Sequence, residues 1–126
     1  MRRFLLMVGV LVAPLLFSGL AYGQAGTIGL FTDMDGTQPY YWDDAPGELN
    51  FYVVHINSPG ATACQFQARK PDCFHATYLD ETFEFPVTLG NSQEMVAIAY
   101  GECLASPIHV LTIHYYTDAT TGDCCV

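Results

Sequence analysis

Positive charge is nearly missing from this chain. Four Lys and Arg stand against thirteen Asp and Glu in 126 residues, a formal net charge of −9. Proteins that neutralise phosphates need a basic stripe, so nucleic acid and anionic lipid are excluded as natural partners of such a surface. A long helical hydrophobic period is also absent, as is any alternation of strands with helices that would host a nucleotide. No G-x-S-x-G elbow, papain-like cysteine signature or Gly-rich phosphate cradle occurs. Beyond residue 23 the only serines are Ser58, Ser92 and Ser106, each in turn-like sequence. No C-x-x-C knuckle exists, which leaves a structural zinc site without support. Repeats and low-complexity tracts are lacking too.

What is present begins with an export signal. Met1-Arg2-Arg3 is a positive start, Phe4 to Phe17 is an uncharged apolar run, and Ala21-Tyr22-Gly23 is a small-x-small cleavage signature. These are the three parts of a secretory signal peptide, and Pro14 interrupts the run in a way that disfavours a membrane anchor. Cleavage after residue 23 predicts a single domain over 24–126, secreted, periplasmic or held at the cell surface. That part keeps Arg69 and Lys70 against all thirteen acids, a formal charge of −11.

All five cysteines, Cys64, Cys73, Cys103, Cys124 and Cys125, follow the signal. Export makes disulfides the default reading. The expected pairs are Cys64 with Cys73 and Cys103 with Cys124 or Cys125. If the tail instead continues along the sheet, Cys64 or Cys73 becomes its partner. An odd count leaves one thiol for a link between molecules.

Strand signals recur at about ten-residue spacing, separated by Gly, Pro, Asn and Ser, and predict an all-β antiparallel sandwich of roughly seven to eight strands. Thr27 to Thr32 reads as an edge strand, and Glu48 to Asn57 as a central strand apolar on both faces. Ala63 to Ala68 and Cys73 to Leu79 read as a hairpin around Arg69-Lys70-Pro71-Asp72. Asp80 to Leu89 is demoted by Pro86 to an edge strand or an extended linker. Met95 to Tyr100 and Ile108 to Tyr116 read as a central hairpin with Cys103 in its turn. The expected core is Ile28, Leu30, Val53, Phe66, Phe85, Val96, Ile98, Leu111 and Ile113.

Candidate chemistry is sparse. Asp33-Met34-Asp35-Gly36 opens like a calcium loop, and with Asp43 and Asp44 it offers at most a weak calcium site; no other cofactor is implied. Tyr40-Tyr41-Trp42 in the same loop could stack on a sugar or anchor an extracellular protein, or else cap an open end of the sandwich. The four histidines do not converge. His109 and His114 differ by an odd number and should project to opposite sides of a strand, while His55 and His109 could meet across paired strands.

The succession TIGLFTDMDGTQ, ELNFYVVHIN, ACQFQA and MVAIAYGECLASPIHVLTIHYY, followed by a cysteine pair, resembles a group of small secreted bacterial proteins of unassigned function. Its spacing is similar to that of cohesin-like and other immunoglobulin-like sandwiches. The resemblance implies an immunoglobulin-like fold and leaves function open. Two classes of function follow. One is a non-enzymatic extracellular interaction or structural module, stabilised by disulfides; the other is a secreted hydrolase or metal-dependent enzyme. The shortage of a convergent triad or ligand set favours the first.

Overall fold

A computed structural model describes residues 26–122. The N-terminal segment read as a signal peptide, Cys124 and Cys125 lie outside the described residues. The fold is all-β. Among the described residues seven strands run in chain order: β1 (Thr27–Phe31), β2 (Gly47–Ile56), β3 (Ala61–Phe66), β4 (Ala76–Phe83), β5 (Val87–Asn91), β6 (Met95–Leu104) and β7 (Ile108–Thr117). They form a four-stranded sheet, β1-β2-β7-β4, and a three-stranded sheet, β3-β6-β5. Every pairing is antiparallel.

The two sheets share one core. Val53, Leu111, Ile113 and Tyr115 of the larger sheet meet Val96, Ile98 and Tyr100 of the smaller one, with Phe74 from the β3–β4 connection. Full burial of each aliphatic side chain stabilises the fold by about 1.5–3 kcal/mol. Of the residues expected inside, Val53, Val96, Ile98, Leu111 and Ile113 are fully buried, and Ile28, Phe66 and Phe85 pack partly buried against them. Leu30 is exposed. It pairs with Val53, whose other neighbour across the sheet is Leu111, but β1 is the edge strand and has no neighbour beyond it to cover its side chain.

Only β1–β2 and β5–β6 are hairpins between consecutive strands; every other connection passes from one sheet to the other. The two hairpins expected from the sequence are therefore not formed. β6 lies between β3 and β5, β7 lies between β2 and β4, and the segment joining them crosses the end of the sandwich. There Ser106 donates from N–H and Oγ to the Ser58 carbonyl and accepts from the Ser58 N–H, tying this crossover to the β2–β3 turn. In the same way β3 and β4 fall in different sheets.

These crossovers overturn the expected disulfides. Cys64 is a half-buried free thiol, and Cys103 an exposed one. Cys64 pairs across to Ile98 in the smaller sheet, whereas Cys73 precedes the larger sheet's β4, so the two are not cross-strand neighbours. Cys73 is disulfide-bonded, as the alternative that made it a partner of the tail allows.

A bulge in β7 governs what faces outward. Val53 pairs with Leu111 but Val54 pairs with His109, so Val110 is an extra residue in β7. The inward set shifts from Ile108 and Val110 to Leu111, Ile113 and Tyr115, all buried. One inserted residue reverses the parity of everything after it. His109 and His114 consequently lie on the same outer face, against the expectation from their odd separation.

Candidate functional site

Fifteen residues, 32–46, connect β1 to β2. Connections of that length in a compact domain usually carry function. Three anchors hold this one. The first is Asp33, whose carboxylate accepts hydrogen bonds from the Thr37 hydroxyl, the Thr37 N–H (2.9 Å) and the Gln38 N–H (2.9 Å). The Thr37 hydroxyl does most to hold the Asp33 carboxyl below its ordinary range. The Thr32 N–H closes the same turn onto the Gln38 carbonyl at 2.9 Å.

Gly36 supplies the second anchor. Its φ of 71° is in the left-handed region, and a Cβ there would stand 3.0 Å from the Ile56 Cγ2 and 3.2 Å from the Val54 Cγ1. The loop therefore lies against the outer side of β2 and covers Val54, which is fully buried although it points away from the core. Glycine is required twice over, for conformation and for closeness.

Asp43 is the third. It accepts from the Thr117 hydroxyl at 2.6 Å and from the Thr121 N–H at 3.3 Å, stitching the loop to the end of β7 and the segment after it. Burial raises its carboxyl, but these hydrogen bonds and the nearby His75 outweigh that and leave it lowered.

Between the second and third anchors the chain presents its aromatics. Tyr41 packs edge-on against Phe51, with ring centroids 5.7 Å apart. Phe51 in turn contacts Phe74 and Tyr115 at 5.8 and 5.9 Å, and Tyr78 joins Tyr115 at 6.0 Å. Burial raises the Tyr41 phenol, and the charges of Asp43 and Asp44 add to it. Capping of the sandwich end is thus the role of Tyr41, which is 38% exposed, while Tyr40 and Trp42 are 78% and 79% exposed. Tyr40 and Trp42, two residues apart with Tyr41 between them turned inward, are held outward by a ring packed beneath them.

The candidate calcium ligands are spread along this loop. Asp33 serves the turn at its start, and Asp43 serves the β7 end. Asp44 follows Asp43, and Asp35 lies within the Asp33 turn. Among the described residues no group of three or more His, Cys, Asp or Glu could hold a metal ion.

A second polar assembly, missed in the sequence, covers the outer face of the larger sheet. His114 Nδ1 is 2.7 Å from the Asn50 Oδ1, and its Nε2 is 3.0 Å from the Thr82 hydroxyl, with Asp80 at 3.9 Å. His109 Nε2 lies 3.0 Å from the Thr112 hydroxyl, its Nδ1 3.6 Å from Glu84, and its ring against Tyr52. Each imidazole nitrogen has a partner, on β2, β4 or β7 or, for His109 Nδ1, on Glu84 just beyond the end of β4. This is a lateral network, and its groups satisfy one another without converging on an enclosed cavity.

His55 is on the opposite, inward side, so it does not meet His109. Its Nδ1 is 2.9 Å from the Tyr100 hydroxyl, which also hydrogen-bonds Cys64. The sequence separation of these three residues hid the contact. Burial raises the Cys64 thiol, and burial together with Cys64 raises the Tyr100 phenol. A nucleophilic cysteine needs a lowered pKa and access. Burial pushes this thiol up rather than down, and the three residues form a hydrogen-bonded chain.

No protein-family model, curated protein or solved structure matches the chain.

Proposed function

We propose that the chain is a secreted, non-enzymatic interaction module that engages an extracellular protein through Tyr40 and Trp42. The observation that carries this reading is the pair of almost wholly exposed rings on a loop anchored at Asp33, Gly36 and Asp43. Large aromatic side chains left in water forgo several kcal/mol of burial, on the order of 1.5–3 for a residue of this class, which a partner's pocket can recover. The loop is already ordered, so little conformational entropy is lost on docking. Asp35 and Asp44 beside the rings favour a partner with a basic rim around its pocket.

The immunoglobulin-like reading is retained at the level of two antiparallel sheets carrying end loops. Constant-type immunoglobulin order would place β5 beside β2 and β7 beside β6; here β5 and β7 exchange places. Calcium enters this reading only as a weak ligand, because Asp33 and Asp43 already spend their oxygen atoms on the loop. The odd-cysteine route to attachment passes through Cys103, the exposed free thiol.

The test immobilises the exported protein and presents secreted and surface proteins of its source cell, alongside a Tyr40→Ala/Trp42→Ala variant. A specific partner bound by the parent and weakened at least about tenfold in the variant is the expected result. Equal retention by both overturns the assignment. Trp42 is the single tryptophan, so its emission reads the other arm directly: a shift on adding a soluble neutral polysaccharide would move the partner class to carbohydrate.

A further inference from the structure

The loop that carries the exposed rings alternates. From residue 37 to 44 the chain runs without a turn or bend, and successive side chains take opposite roles. Tyr41 turns in against Phe51, and Asp43 turns in to the Thr117 hydroxyl and the Thr121 N–H. Tyr40, Trp42 and Asp44, the residues between and beyond them, are exposed. Residues two apart on an extended chain stand about 6.4–6.8 Å from one another on one side, close to twice the carbon–carbon contact distance of about 3.5 Å. A flat group between the two rings can therefore touch both. Asp44 continues the same line, and it has no hydrogen-bond or ion-pair partner among the described residues. The chain has little cation to offer it: the Lys70 ammonium is held by the Pro71 and Phe74 carbonyls, and the ion pairs of the described residues are those of His109 and His114.

We infer that this strip is an arginine site: the guanidinium of an arginine on the extracellular partner lies flat between Tyr40 and Trp42 and pairs with the Asp44 carboxylate. The inference rests on the proposed reading of the two rings as the docking site and names the group they receive. Charge selects a cation. A cation over the face of a Trp or Tyr ring is attracted by the ring quadrupole. The charges around these rings have one sign, since Asp43 and Asp44 both act on the neighbouring Tyr41 phenol and Asp35 is exposed earlier in the same loop. A neutral occupant would leave Asp44 without a partner, and an acidic one would be repelled by it. Shape selects arginine over lysine. The guanidinium is planar and weakly hydrated, stacks on aromatic faces and presents parallel N–H groups to a carboxylate, whereas the ammonium is a compact, strongly hydrated point charge. Tyr41 and Asp43 hold the strip in place beforehand, so little ordering is left to the moment of binding.

Trp42 is the single tryptophan, so its emission reads the strip. The exported protein is titrated at constant ionic strength with three probes, the N-acetyl methylamides of arginine, lysine and citrulline, the last being the neutral isostere of arginine. A saturable change in emission over millimolar arginine probe is expected. Citrulline should bind at least about fivefold more weakly and lysine at least about twofold more weakly. Asp44→Asn should weaken the arginine probe about two- to fivefold and leave citrulline unchanged. Tyr40→Phe keeps the ring and should keep the binding, whereas Tyr40→Ala should weaken it; these positions are exposed, so far-ultraviolet circular dichroism should be the same throughout. The absence of a saturable change with arginine overturns the inference. So does an equal response to arginine and lysine, to arginine and citrulline, or in Asp44→Asn and the parent. Capture of a protein partner, run in parallel, separates the arginine assignment from the reading beneath it. A partner lost by Tyr40→Ala/Trp42→Ala but bound equally by Asp44→Asn and the parent overturns the arginine alone, and one retained equally by every variant overturns both.

Discussion

The two outer faces of the sandwich share a backbone pattern and differ in what their side chains can do for one another. On the larger sheet, Asn50, Thr82, Thr112, His109 and His114 hydrogen-bond laterally across three strands. On the smaller sheet, alanine, valine and leucine occupy most of the equivalent outward positions, with Gln65 the polar exception among them. Polar groups on the first face satisfy one another. The apolar groups of the second lose nothing by being covered and gain whatever area a partner removes from water. The lesson is that equal exposure does not make two faces alike; the chemistry of the neighbouring rows separates them.

The largest expected effect lies beneath both faces, where the comparison should vanish. Ile98→Ala under the apolar face and Leu111→Ala under the polar one each remove a fully buried side chain and should lower unfolding free energy by about 2–5 kcal/mol. Urea denaturation measures both. A cost confined to one sheet would show that the two do not unfold as a unit.

Alkali probes the same unity. Tyr78 of the larger sheet is pushed up to about 12 from 10.0, first by burial and then by the charge of Glu81. Tyr100 of the smaller sheet is raised as well, by burial and by Cys64. A phenol whose folded pKa exceeds its unfolded one contributes stability that is full below the unfolded value and is lost as pH rises through the folded value. Stability should therefore fall with pH above about 10, and Tyr78→Phe should flatten the part of that fall between 10 and about 12. Thermal midpoints across that window decide it; an unchanged slope in Tyr78→Phe contradicts the argument.

Single exposed substitutions separate the faces directly. His114→Ala deletes contacts to Asn50 and Thr82 and should cost about 0.5–1.5 kcal/mol. Leu89→Gln should change stability by less than about 0.5 kcal/mol. Reversal of that order would mean that the polar ladder is ornamental and that Leu89 packs within its own chain.

Millimolar calcium is expected to do least. Asp33 and Asp43 are engaged at different ends of their loop, so the melting midpoint should stay where it is. A clear upward shift would show that the acidic loop binds the ion after all.

Much of the fold was legible because alternation and turn residues are local. β1 and β2 fall within a residue or two of their predicted bounds, and β2 is flanked on both sides as a doubly apolar strand should be. In the loop, Tyr40, Tyr41 and Trp42 were recognisable as a cluster, but not which ring turns inward, since Phe51 comes ten residues after Tyr41 and meets it only in the fold. The histidine network was hidden by Val110, whose insertion no propensity announces. The Cys64–Tyr100–His55 chain was hidden by sequence distance.

By itself the sequence determined that the chain is all-β, acidic and built of short strands, because composition and period-two hydrophobicity act residue by residue. Only tertiary structure decided which strands pair. β6 and β7 are both good strands separated by a short connection, and nothing local distinguishes a hairpin from a crossover between sheets. The choice was made by burial: sending β7 to lie between β2 and β4 places Leu111, Ile113 and Tyr115 opposite Val96, Ile98 and Tyr100. Joining the two strands edge to edge would have set those residues side by side in one sheet. The crossover between β3 and β4 separated Cys64 from Cys73, and the extra residue at Val110 brought both histidines of β7 to one face.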